Sequence, residues 1–135
     1  MVIDKVLTIA SAIIENEKGE ILILKRGETK TFQGHWQLPE GKLEENEKPQ
    51  DALKRELKEE LGAVVESLSF ENVSQSTLEA KGTKYLAFRI IFMVKLKEDK
   101  IKLSYEHSDY QWIIPSKISS LELLPGIVEA VGLID

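Results

Sequence analysis

Apolar positions run along most of the chain in short blocks or in strict alternation, and switch once to a helical period. Val6 to Ile14 is mostly apolar, and Ile21 to Leu24 is apolar at every position. Between them Glu17-Lys18-Gly19-Glu20 reads as a hairpin turn, so residues 3 to 26 are expected to form two strands. A strand apolar on both faces belongs inside a sheet covered on both sides. Residues 27 to 40 read as a turn-rich loop anchored by Phe32 and Trp36. From Pro49 to Leu61 the period changes: Leu53, Leu57 and Leu61 recur every four residues, as one stripe of a helix does. Pro49 suits its first turn, where a missing N–H costs nothing, and Gly62 suits its C-terminal end. Val64 to Leu78 and Thr83 to Leu96 then read as two long strands around a turn at Lys81-Gly82. In the second, the residues from Leu86 to Leu96 at every other position form one apolar face. Asp109 to Ile114 reads as a short strand ended by Pro115, and Pro125 to Gly132 as a terminal helix.

The order of these elements predicts an α/β (α+β) protein, a mixed central sheet with helices packed on it. At 135 residues, with no repeat or linker, the whole chain reads as one domain spanning residues 1 to 135. Composition narrows the function classes. There are no cysteines, which excludes disulfides, thiolate catalysis and cysteine-based zinc sites. A formal net charge of -5 offers no footprint for wrapping nucleic acid. A small phosphorylated substrate would need cations to bind such a protein. No run approaches the ~18 apolar residues of a bilayer span. Val6 to Ile14 could be taken for the apolar part of a signal peptide, but Asp4 partly cancels Lys5 and a second apolar run follows the turn. The expectation is a cytoplasmic protein without a membrane partner.

Chemistry concentrates on the helix. Glu56, Glu59 and Glu60 stand three and four residues apart, which puts them on one helical face. Their mutual repulsion costs only ~0.2–0.5 kcal/mol per pair, so an acidic face alone signifies little. A hard divalent cation changes its meaning, because Mg2+ and Mn2+ prefer oxygen ligands and sit between carboxylates and substrate phosphates.

The longer pattern is specific. Gly41 is followed by five residues, Glu47, seven residues and then Arg55-Glu56-Leu57-Lys58-Glu59-Glu60-Leu61-Gly62-Ala63. This resembles the signature of the Nudix hydrolases, and the glycines and charged residues match it in place. Ala63 stands where a larger aliphatic residue usually ends that signature, and Glu40 where the family often has a further glycine. The resemblance implies a Nudix-like α/β/α sandwich with a catalytic helix and a C-terminal helix. It also implies metal-dependent cleavage of a pyrophosphate bond in a nucleoside diphosphate linked to another group. Glu59 and Glu60 then look like the principal ligands of Mg2+ or Mn2+, and Glu56 like a further ligand or the base. The backbone carbonyl of Glu40 would be another ligand. Arg55 would orient the cluster with Glu47 as its partner, and Glu106, six residues before Trp112, would be the acid of a downstream loop.

Two cations are candidate substrate contacts. Arg26 ends the Ile21–Leu24 strand, and is either a phosphate contact, as arginines near this position are in relatives, or a solvated strand end. Arg89 interrupts the middle of a central-looking strand, either meeting solvent or a neighbouring carboxylate, or facing an anionic ligand in a cleft. His35 and His107 lack ligand spacing and read as loop residues. The compact length favours a MutT-like substrate, a nucleoside triphosphate, while ADP-ribose and dinucleoside polyphosphates stay open. So do a catalytically silent nucleotide-sensing module and a homodimer.

Overall fold

A computed structural model describes residues 2–28 and 30–132. The chain order is β1 (Lys5–Ile14), β2 (Ile21–Arg26), β3 (Trp36–Gln37), β4 (Glu40–Lys42), α1 (Pro49–Leu61), β5 (Val65–Ala80), β6 (Thr83–Leu96) and β7 (His107–Ile113). A short 3-10 helix over Pro115–Ser120 and α2 (Ile127–Val131) complete it. The local signals for α1 act as read: Pro49 opens it, and Gly62 closes it at φ 62° with its N–H on the carbonyl of Lys58.

The strands form a mixed sheet in the order β4-β1-β6-β5, with β1 parallel to β6, and a second, antiparallel sheet in the order β3-β2-β7. The second sheet and the parting of β1 from β2 correct the hairpin expectation. The turn itself is tight, with Asn16 and Glu20 bonded to each other and a single bridge from Glu15 to Ile21. Beyond that bridge β1 pairs with β4 and β6, whereas β2 pairs with β3 and β7. Both strands are buried on two faces, over Ile9–Ile14 and Ile21–Leu24, so their own pattern does not single out each other as partner.

The two coverings are distinct. Ala10, Ala12, Ile14, Leu22 and Leu24 pack with Leu53, Leu57 and Leu61 of α1. Ile13, Ile21, Ile23 and Ile91 pack instead with Ile127, Ala130 and Val131 of α2. Strand alternation thus sends neighbouring residues to opposite helices, giving the expected α/β/α layering. Arg89 and Ser11 fall on the α2 side, two residues from Ile91 and Ile13 respectively, where the apolar layer gives way to a polar one. Among the described residues no helix is long and apolar enough to cross a membrane.

Candidate active site

Between the N-terminal half of β1, the loop before β3, β4, the outer face of α1 and the far end of the β5–β6 ribbon lies an open cleft of about 810 Å³. Of the residues singled out from the sequence, Arg26, Glu40, Arg55, Glu56, Glu59, Glu60, Arg89 and Glu106 border it, joined by Lys30, while Glu47 is not part of its lining. Leu7, Ile9, Phe32, Leu78 and Tyr85 supply an apolar portion of its wall.

The three glutamates of α1 share a face but not a depth. Glu59 is 61% exposed, Glu56 only 17%, and Glu60 is buried. Oε2 of Glu60 has no hydrogen-bond partner. Burial, and then the nearby Glu56, push its carboxyl up to about 9, so without a counter-charge Glu60 holds its proton at neutral pH. Gly41 explains how close β4 comes to this face: a Cβ there would lie 2.2 Å from Cγ of Glu56.

Arg55 lies at the rim. It donates from Nε to Oε2 of Glu47 at 2.8 Å and from Nη2 to Oε1 at 3.0 Å, a bidentate pair. Its Nη1 donates to Oε1 of Glu56 at 2.8 Å. The hydrogen bond from Arg55 holds the Glu47 carboxyl down at about 2. Elsewhere on the lining Lys30 pairs with Glu106 at 2.9 Å and lowers the Glu106 carboxyl below the usual carboxylate range. Arg26 is braced within its loop, donating to the carbonyl and hydroxyl of Thr31 and to Oε1 of Gln37. Its guanidinium pKa is lowered, chiefly by burial.

Arg89 borders the floor of the cleft but is buried, and its Nε and Nη2 donate to the carboxylate of Glu40 at 2.9 and 3.2 Å. Of the two roles read for Arg89, the neighbouring carboxylate is the one its donors serve. Glu40 itself avoids positive φ, which among the described non-glycine residues falls at Phe32, Asn46 and Lys81. His107 is buried with both ring nitrogens unpartnered, and burial lowers its imidazole to about 4. His35 serves its loop, 3.3 Å from Glu122 and edge-on to Phe32.

Sequence reading missed Lys30, Gln37, Ser11 and Gly27. Gly27 brings the Glu106 loop into the cleft: its N–H donates to the carbonyl of Glu106 at 2.9 Å, and a Cβ would sit 3.0 Å from that same oxygen. None of the four stands in a periodic pattern or spaced motif, so no one-dimensional signal marks them.

The donor set suits a hard divalent cation. Its oxygens are carboxylate, Glu60 offers a buried oxygen without a partner, and Glu56 stands beside it. The expected ligands share the cleft without forming a closed shell. Among the described residues no three acidic or imidazole side chains gather at ion-binding distance, since Arg55 draws Glu56 and Lys30 draws Glu106.

Comparison with known proteins places this geometry in a family. The family model described as the NUDIX domain matches residues 6–130. Nucleoside triphosphatase NudI of Escherichia coli O81 (strain ED1a) is 28% identical over 124 residues, covering 86% of this chain and 87% of its own. The 8-oxo-dGTP diphosphatase of Haemophilus influenzae is 43% identical over 60 residues, 44% of each chain. The crystal structure of a MutT protein from Methanosarcina mazei Go1 superposes with a TM-score of 0.74 at 32% identity, covering 97% of this chain and 93% of that one. With its signature helix, cleft and sheet arrangement in place, the chain belongs to the NUDIX domain family, the pyrophosphate-cleaving hydrolases of nucleotides.

Proposed function

We propose that this chain hydrolyses a pyrophosphate bond of a nucleoside triphosphate, using Mg2+ or Mn2+ held by Glu59 and Glu60. Glu56, the carbonyl of Glu40 and Glu106 are the further oxygen donors. The observation that carries this reading is the buried, unpartnered Oε2 of Glu60 on the helix face that borders the cleft. When bound, such a cation polarises phosphoryl oxygens and offsets the carboxylate wall.

The remaining work belongs to the chain's own groups. Arg55, itself held by Glu47, fixes one orientation of Glu56. Arg26 and Lys30 bring positive charge to the same cleft, where the phosphates of a substrate would lie. The apolar wall near Leu78 and Tyr85 leaves room for the rest of the nucleotide. The choice of a triphosphate draws support from the resemblance to nucleoside triphosphatase NudI over most of both chains.

The test is a panel of nucleoside triphosphates, ADP-ribose and dinucleoside polyphosphates assayed with Mg2+ or Mn2+. Turnover should be highest on a triphosphate, and Glu59→Gln should lower kcat at least about 100-fold with the fold intact. Preferred turnover of ADP-ribose would shift the substrate class, and no turnover with either metal would favour a nucleotide-sensing module.

A further inference from the structure

Arg89 is the largest fully buried side chain among the described residues, and it ties together five segments of the fold. From β6 it grips both carboxylate oxygens of Glu40 in β4. Ser11 of β1 donates its hydroxyl to Oε2 of the same carboxylate at 2.6 Å. Nη1 of Arg89 donates to the hydroxyl of Ser76 in β5 at 3.3 Å. The fifth segment is the turn before α2, where Gly126 has φ 95° and a Cβ would lie 2.2 Å from Nη1. Only a glycine lets that turn close over the guanidinium.

An ion pair buried this deeply adds little stability over an apolar pair of similar size, because desolvation offsets the attraction. What the pair does supply is direction. A fork of two hydrogen bonds sets the carboxylate in one plane and one place, which neither an apolar contact nor a lysine does. Glu40 and Gly41 are consecutive, and they face different partners. The side chain of Glu40 turns inward to Arg89, while Gly41 packs against Glu56 of α1. The depth at which Glu40 is anchored therefore sets how the 40–41 backbone lies against the acidic helix face.

We infer that Arg89 is a positioning residue, holding Glu40 so that the backbone of residues 40 and 41 is fixed against Glu56. Its donors are committed to Glu40 and Ser76, and it is 1% exposed, so it does not act by touching substrate. The inference rests on the reading of Glu56 and the Glu40 carbonyl as parts of the reacting centre.

Two variants separate position from stability. The triple change Ser11→Ala, Glu40→Met, Arg89→Met replaces the carboxylate and both of its donors with apolar groups and leaves only the half-buried Ser76 hydroxyl without Arg89. Arg89→Lys keeps the charge and removes the fork. Each is compared with the unaltered protein for its metal-free melting temperature, its Mn2+ affinity by electron paramagnetic resonance, and kcat and KM on a nucleoside triphosphate. The triple variant should melt within about 10 °C of the unaltered protein. In both variants Mn2+ should bind at least about 10-fold more weakly, and kcat should fall at least about 10-fold with KM within about threefold. Unchanged Mn2+ affinity and kcat in either folded variant would overturn the inference and leave the pair as packing. A raised KM at unchanged kcat would overturn it in favour of a substrate contact. An unaltered protein that bound no Mn2+ and turned over no nucleotide would instead remove the functional reading, and this inference with it.

Discussion

A methyl group added at Gly41 would lie 2.2 Å from Cγ and 2.3 Å from Cδ of Glu56. Neither atom is at the free end of its side chain, and Oε1 of Glu56 is held by Arg55, so Glu56 cannot step aside cheaply. Gly41→Ala should therefore displace Glu56, lowering stability by about 1–3 kcal/mol as overpacking does. Turnover should fall further than that loss accounts for; denaturant melts and steady-state kinetics on one preparation check both. A variant with normal turnover would show that the contact relaxes without moving the carboxylate. At this scale residue type and spacing were enough to bring Glu56, Glu59 and Glu60 to one cleft-facing side of the helix. The sequence was silent on Lys30, whose importance comes from standing 2.9 Å from Glu106, seventy-six positions away in the chain.

The helix α1 shows what local physics can settle. Its ends coincide with the predicted ones because proline at the start, a leucine stripe and a left-handed glycine at the end all act within a turn or two of themselves. Gly62→Ala isolates the last of these. A Cβ there meets Lys102 Cβ at 3.6 Å, an ordinary contact, so the cost is backbone strain alone, about 1–2 kcal/mol. Thermal or urea unfolding checks it, and no loss would mean that the cap rearranges. The β1–β2 turn is the contrasting case. Its bonds are local and were legible, yet strand pairing beyond the bridge at Glu15 depends on β6 and β7, which lie far along the chain. Which neighbour a doubly apolar strand chooses is not a local property.

Three shifted groups give the metal-free molecule a distinctive response to pH. Glu47 is held down at about 2, so its contribution is present above 4.5 and is lost as pH falls towards 2. His107 is held down at about 4 against an ordinary 6.5; the unfolded chain takes up that proton first, so stability falls as pH drops from 6.5 towards 4. Glu60 acts with the opposite sign. Its folded carboxyl keeps its proton up to about 9, so stability declines as pH rises from 4.5 towards 9. Between 4.5 and 6.5 the His107 and Glu60 slopes oppose each other, one proton against one. Melting temperatures in a chelator should therefore peak broadly between about pH 4.5 and 6.5 and decline on both sides. Added Mg2+ should flatten the alkaline decline by giving the Glu60 carboxylate a counter-charge. A decline untouched by Mg2+ would remove Glu60 from the cation site.

The sequence by itself determined the helix, the long ribbon of β5 and β6 and the layering of the fold, and its spaced motif singled out the glutamates of the proposed site. Each of these is written in a period, a cap or a motif of fixed spacing, and such signals act over one or two turns of chain. Tertiary structure decided the second sheet, the depth of each glutamate and the partners of Arg26, Lys30 and Arg89. Depth is what separates Glu60, buried and with its carboxyl pushed up, from Glu59, one residue away and exposed, although the two are the same residue type on the same face. Partnership is what turned Arg89 from a candidate for the substrate into a clamp on Glu40. Both follow from dielectric and distance, which depend on where the rest of the chain lies.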